Sequence, residues 1–183
     1  MIDYPLAIIL GIIALAFYLV IAILKKVNKK KIVLTSIFIC YLTVVVMITI
    51  FPIPLQGETE YFGDNTWYNY IPFNSIKDII LSNGFTTTAF LQIVGNILLS
   101  VPFGAYVIAV MKNKRWWKLL IFALGFTVLI EATQLAIDLL IGNMYRNVDI
   151  DDIILNALGA YIGYGIYKLI PKKIKETCLN FDK

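Results

Sequence analysis

Histidine is absent from all 183 residues. Its absence removes the usual proton shuttle, the Ser-His-Asp and Cys-His constellations and the commonest metal ligand. Any chemistry has to run on carboxylates, amides, arginine and lysine. Cysteine is almost as scarce: Cys40 lies inside an apolar segment and Cys178 in a basic tail, so neither a disulfide framework nor a thiol metal site is expected. Charged residues make up 15% of the chain, hydrophobic ones 60%, and the mean hydropathy is +0.80. Ordinary soluble domains are about half apolar, so the composition is that of a polytopic membrane protein.

What is present is a series of long uncharged runs. Pro5 to Leu24 is long enough to cross a hydrocarbon core of about 30 Å. No basic stretch precedes it and no small-residue cleavage site follows it, so it reads as a first transmembrane helix and not as a signal peptide. Lys25, Lys26, Lys29, Lys30 and Lys31 make a basic loop. Ile32 to Phe51 is a second span, stopped by Pro52 and Pro54, which cannot continue a helical hydrogen-bond ladder.

Leu55 to Thr88 is the one long connection, with Glu58, Glu60, Asp64 and Asp78 against Lys77 alone. Its apolar residues at Ile76, Ile79 and Ile80 predict a short amphipathic helix along the membrane surface, capped by Asn74 or Ser75. Trp67, Tyr68 and Tyr70 suit the headgroup layer. Ala89 to Met111 is the third span, with Gln92, Asn96 and Ser100 among its apolar residues, and Pro102 and Gly104 predict a kink. After the basic turn Lys112 to Lys118, a fourth span runs to Ile141 and carries Glu131, Gln134 and Asp138. The polar loop GNMYRNVD leads to a fifth span from Ile150 to just before Pro171, where Lys172, Lys173 and Lys175 begin a tail.

The expected fold is therefore all-α, a polytopic membrane protein with five transmembrane helices. Its expected parts are an N-terminal pair of spans with a basic loop (1–54), an extracytoplasmic interfacial loop (55–88), a three-helix core (89–171) and a basic tail (172–183). Assigning both lysine-rich loops and the tail to the cytoplasm puts fourteen of the sixteen basic residues inside, leaving Lys77 and Arg146 outside. By the positive-inside rule the N-terminus is outside and the C-terminus inside a cell membrane. The net charge of +4 is then an orientation signal, and no nucleic-acid partner is expected.

Depth follows from the helical rise. Glu131 lies roughly 15 Å below Ile141, Asn156 roughly 9 Å below Ile150 and Asn96 roughly 10 Å below Ala89. The three share one outer-leaflet layer, with Arg146, Asp149, Asp151 and Asp152 above them. Residues three, four and seven apart share a helix side. Asp149, Asp152, Asn156, Gly159 and Gly163 thus form one stripe, with Asp151 off it; Glu131, Gln134 and Asp138 form a second, and Gln92 and Asn96 are one turn apart. Polar faces in lipid turn toward each other or toward water, which predicts an outward-opening polar pocket between the third, fourth and fifth spans. Gly159 and Gly163 are expected to let the fifth helix approach a neighbour closely.

These residues resemble the VanZ-like membrane proteins over roughly Asn69 to Tyr167. The elements are Asn69-Tyr-Ile-Pro72-Phe73; Asn96 followed by Pro102-Phe-Gly104; Glu131-x-x-Gln134; and Arg146-x-x-Asp149-x-Asp151-Asp152-x-x-x-Asn156-x-x-Gly159-x-x-x-Gly163. They carry the resemblance together, in order and on a five-helix frame. It implies a small integral membrane protein of a family linked, in its founding member, to lowered sensitivity to teicoplanin-type lipoglycopeptides.

Several readings of the polar cluster are open. As an enzyme on a lipid-linked envelope precursor, a lipid or the antibiotic, Glu131 or Asp152 would serve as general acid or base, with Asp149 beside them. Arg146 would hold a phosphate or carboxylate in its fork, and Asn96, Gln134 and Asn156 would bind substrate. Asp149, Asp152 and Glu131 are alternatively an oxygen donor set for Mg2+ or another divalent cation. No nucleophile stands out: Ser100 lies on the third span and has no evident base. As a non-catalytic binder, the pocket would shield a membrane lipid, a lipid-linked cell-wall precursor or the lipoglycopeptide. Transport ranks last, because the inner halves of the spans are apolar. The competing structural role has Arg146 paired with Asp149 or Asp152, and the network merely fixing helix packing.

Overall fold

The structure, a computed structural model, describes residues 1–54, 68–81, 87–142 and 145–178. Glu58, Glu60, Asp64 and Trp67 lie outside those residues. The helices are α1 (Tyr4–Leu24), α2 (Lys29–Thr49), α3 (Asn74–Leu81), α4 (Thr87–Val110), α5 (Trp116–Ile141), α6 (Ile150–Leu169) and α7 (Lys172–Cys178). Two strands of two residues, β1 (Tyr68–Asn69) and β2 (Val148–Asp149), pair in parallel, Tyr68 with Val148 and Asn69 with Asp149.

Local chemistry sets the helix ends. Asp3 accepts from Tyr4 N at 2.8 Å and Pro5 sits in the first turn of α1; proline suits that position because its missing N–H has no intrahelical partner there. Asn28 caps α2 through Lys30 N at 2.9 Å. α2 ends at Thr49, two residues before the expected Phe51, because the residue ahead of a proline is disfavoured in the helical region. α5 closes on Gly142 in the left-handed conformation, φ 70°, where a side chain would be strained.

Among the described residues four helices are long and apolar enough to cross a membrane: Tyr4–Leu24, Lys29–Thr49, Phe90–Val110 and Trp116–Ile141. The expected fifth, α6, forms as a helix of 20 residues. It is less apolar than the four, with Asp151 and Asp152 in its first turn and Lys168 in its last.

α4 and α6 make the most extensive helix contact in the molecule. They run parallel in steady register: Asn96 meets Asp152, and Ser100 meets Asn156, both 56 residues apart in sequence. Glycine permits this approach. A Cβ on Gly159 would strike the backbone of Ile97, one on Gly163 the backbone of Val101 and Ala105, and one on Gly104 the backbone of Ala160. The close neighbour expected for Gly159 and Gly163 is therefore α4, packed backbone to backbone. α5 covers the pair, with Ala123 against Phe103 and Ala160 and with Phe126 stacked on Phe103 at 4.2 Å.

α2 reaches this core through its aromatics. Phe38 stacks on Tyr106 at 3.7 Å and Tyr41 donates to the Leu99 carbonyl, three residues ahead of Pro102, whose ring nitrogen cannot donate to α4. α1 packs chiefly on α2.

Candidate functional site

The polar residues gather where α4 and α6 begin and α2 and α5 end. The start of α6 organises them. Asp149 is its N-cap, extended in backbone, with Oδ1 accepting from Asp151 N at 2.8 Å and from Asn69 Nδ2 at 2.8 Å. Its backbone N–H donates to Glu131 Oε2 at 3.2 Å, so the β1–β2 pairing and α5 hold it from two sides. It is 1% exposed.

Asp151 points elsewhere. Its Oδ1 accepts from Phe73 N at 2.5 Å and its Oδ2 from Ile76 N at 3.0 Å. Those are N–H groups at the start of α3, which no intrahelical carbonyl can satisfy. The cap expected from Asn74 or Ser75 is thus supplied by a carboxylate about 75 residues away in sequence, and charge there also complements the positive end of the helix dipole. Ser75 Oγ instead accepts from Asn69 Nδ2 at 2.9 Å. Asp151, off the predicted stripe, is as buried as Asp149. Sequence periodicity missed it because its partner is a helix end, not a helix face.

The predicted residues meet across α4, α5 and α6 on two levels instead of one: Asn96 lies beside Asp152, which was expected above it, and Asn156 lies one turn deeper beside Ser100. Asn96 Nδ2 donates to Asp152 Oδ1, and Ser100 Oγ donates to Asn156 Oδ1 at 2.8 Å. Glu131 has both Asp149 and Asp152 as electrostatic neighbours, and Asp152 has Asp149 and Asp151. Gln92 does not join: it is exposed on α4. Ser100 faces an amide oxygen, which is too weak a base to activate a hydroxyl for attack.

The α5 stripe serves a second purpose. Gln134 Nε2 donates to Thr49 O at 2.9 Å, Tyr145 Oη donates to Ile50 O at 3.1 Å, and Arg146 Nη2 donates to Ile48 O at 3.2 Å and Phe51 O at 3.0 Å. Four successive carbonyls at the end of α2 are capped from the α5–α6 region. A guanidinium there suits the negative end of the helix dipole. Arg146, foreseen as a phosphate or carboxylate fork, pairs with neither Asp149 nor Asp152 and is committed to this clamp. Asp138 Oδ1 accepts from Tyr145 N at 3.1 Å and steadies the same loop.

Among the described residues no three carboxylates are placed to hold a metal ion. The foreseen set of Glu131, Asp149 and Asp152 is drawn together, but one oxygen of each already accepts a protein N–H. Among the described residues three buried side-chain atoms have no hydrogen-bond partner: Asp149 Oδ2, Asp138 Oδ2 and Gln134 Oε1. All three are acceptors.

A family model for VanZ/LLP1 matches residues 38–171. The chain belongs to the VanZ/LLP1 family. No curated protein and no solved structure matches it. The VanZ/LLP1 match opens at Phe38, where α2 begins its stacking on α4, and closes at Pro171, just past α6. It contains every site residue named above and leaves α1 outside. Membership suggests a teicoplanin-resistance-type role, and with four apolar spans it makes the chain a multi-pass membrane protein.

Proposed function

We propose that the protein lowers sensitivity to teicoplanin-type lipoglycopeptides from the cell membrane, with α6 as a fifth span, the N-terminus outside and the C-terminus inside. The polar site then opens in the outer leaflet. It binds a lipid-linked envelope component or the antibiotic and shields it, without changing it covalently.

The observation that carries this reading is the gathering of Asn96, Glu131, Asp149, Asp152 and, one turn deeper, Asn156 between three helices. Ionisable groups at membrane depth are costly and concentrate where ligands or ions are handled. Binding is favoured over group transfer because Ser100, the hydroxyl between α4 and α6, faces Asn156 and no base. The steady register of Lys25–Lys31, Lys112–Lys118 and Lys172–Lys175 at the opposite helix ends supports the orientation.

The test compares teicoplanin susceptibility, and the mass spectra of lipids, wall precursors and antibiotic, in cells carrying wild type, Glu131→Gln or Asp152→Asn at equal membrane levels. Protection should fall several-fold in both variants with no new chemical species in wild type. Full protection by both variants would remove the site from the function. A new species dependent on Asp152 would replace the binder with an enzyme.

A further inference from the structure

The opposite end of the helices carries charge of the other sign. The α4–α5 turn supplies Lys112, Lys114 and Arg115, and α7 supplies Lys172, Lys173 and Lys175. In sequence, the turn from 112 to 118 contains no acid, and the stretch from 168 to the end contains Glu176 and Asp182.

Packing brings the two basic segments together. Lys114 Nζ donates to the carbonyls of Ile108 and Ala109 at 2.8 and 3.1 Å, closing the end of α4, and Lys175 Nζ donates to Lys168 O at 3.0 Å, closing the end of α6. Cations suit both places, because the last carbonyls of a helix have no intrahelical donor and form the negative end of its dipole. The same two ammoniums lie 4.9 and 4.8 Å from the centre of one ring, that of Tyr167, which is buried beside Ile108 and Ala109. Lysines on a merely solvated face spread apart, since like charges repel. Here carbonyls and an aromatic face hold two of them on one residue, and Lys112, Arg115, Lys172 and Lys173 add exposed positive charge around them.

Depth identifies what meets this charge. The apolar spans of α4 and α5 end and begin at the turn, and Trp116 and Trp117, 60% and 41% exposed, open α5 there. Tryptophans at the end of a span favour the headgroup layer, which puts bilayer phosphates at the level of the lysines. Basic clusters at the ends of spans attract anionic headgroups, and lysine and arginine both donate to phosphate oxygens.

We infer that the surface around Tyr167, formed by the α4–α5 turn and α7, binds the headgroup phosphate of an anionic phospholipid. Lys112, Arg115, Lys172 and Lys173 are its exposed contacts, and Lys114 and Lys175 hold the two segments side by side. This goes beyond orientation, because charge that only orients a chain needs no fixed arrangement. The inference requires neither the polar site at the other end nor an assignment of leaflet.

Intact-complex mass spectrometry of the purified full chain in a non-ionic detergent tests it, with dioctanoyl phosphatidylglycerol, dioctanoyl phosphatidylcholine and glycerol 3-phosphate as probes. Wild type should bind the anionic lipid at least about tenfold more tightly than the zwitterionic one, the worth of one or two lysines at a charged surface. Replacing Lys112, Arg115, Lys172 and Lys173 together by Gln should abolish that preference while leaving phosphatidylcholine binding as it was. A control that removes the same charge from the α1–α2 loop, with Lys25, Lys26, Lys29 and Lys30 replaced by Gln, should keep most of it. Equal binding of the two lipids by wild type overturns the proposal without requiring any variant to fold. Equal losses in the two quadruple variants reduce the effect to net charge and overturn the site. Displacement of phosphatidylglycerol by millimolar glycerol 3-phosphate overturns the membrane lipid as the partner, and resistance to it supports that partner.

Discussion

The first helix and the sixth are both about the length of a bilayer core, yet they are positioned by different forces. α1 is charge-free and buries only Ala7 and Ala22. In lipid such a helix needs little from its neighbours, since acyl chains solvate it as well as protein does. α6 buries an aspartate, an asparagine and a line of small residues, behind a buried aspartate N-cap. Lipid cannot solvate those, so protein must. The family match divides at the same place, including α6 and excluding α1. The comparison teaches that a charge-free helix can be held largely by lipid, whereas a helix that buries polar groups needs specific protein contacts.

Substitutions at glycine should show the largest contrast. Gly163→Leu drives a side chain into the backbone of Val101 and Ala105, which neither helix can relieve without separating. It should prevent recovery of a monodisperse protein, and Gly163→Ala should cost roughly 3 kcal/mol or more, at the upper end of overpacking. Gly11→Ala in α1 meets only the Thr43 side chain, which can rotate at the loss of its bond to Ile39 O. About 1 kcal/mol is expected there. Thermal unfolding in one detergent measures both, and equal losses would erase the distinction between the two helices.

Next in size is Asp151→Ala. It leaves Phe73 N and Ile76 N without acceptors and should cost roughly 2–3 kcal/mol, as for a charged cap. Proteolysis between residues 68 and 81 should accelerate while α1 and α2 stay protected. Unchanged cleavage there would show that α3 is held by other contacts.

The clamp on α2 comes third. Arg146→Gln should cost about 1–2 kcal/mol, the range for a charged group at a helix C-terminus, and Gln134→Ala should add less than its separate cost, because the two hold neighbouring carbonyls of the same helix end. A double-mutant cycle reads that coupling. Strict additivity would mean that the four carbonyls are capped independently.

The smallest effect belongs to Tyr145. Burial, opposed by the neighbouring Arg146, holds its hydroxyl above the ordinary tyrosine range. A raised folded value means that its bond to Ile50 O contributes below the ordinary tyrosine pKa and is lost only as pH climbs through the raised one. Tyr145→Phe should therefore cost about 1 kcal/mol across neutral pH and flatten the strongly alkaline limb of the stability profile. A variant that differs from wild type only near pH 7 would contradict that sign.

Much of the site was readable because period and depth are local properties. The spacing of Asp149, Asp152, Asn156, Gly159 and Gly163 put them on one side of α6, and the structure sets that side against α4. Helical rise alone put Asn96, Glu131 and Asn156 in one layer; the structure brings all three between the helices but sets Asn96 beside Asp152 and Asn156 one turn deeper beside Ser100. Asp151 and Arg146 were not readable in that way. Their partners, the start of α3 and the end of α2, are backbone groups distant in sequence, and backbone carries no sequence signal.

The sequence by itself determined the all-α class, four of the five spans it called for, the polar stripes and the family, because hydrophobic runs and helical period act within each segment. Tertiary structure alone decided that α4 and α6 run parallel in register, that β1 pairs with β2, that Asp151 caps α3 and that Arg146 closes α2. Those outcomes depend on which unsatisfied donor meets which unsatisfied acceptor once the helices are packed, and that pairing exists only in three dimensions.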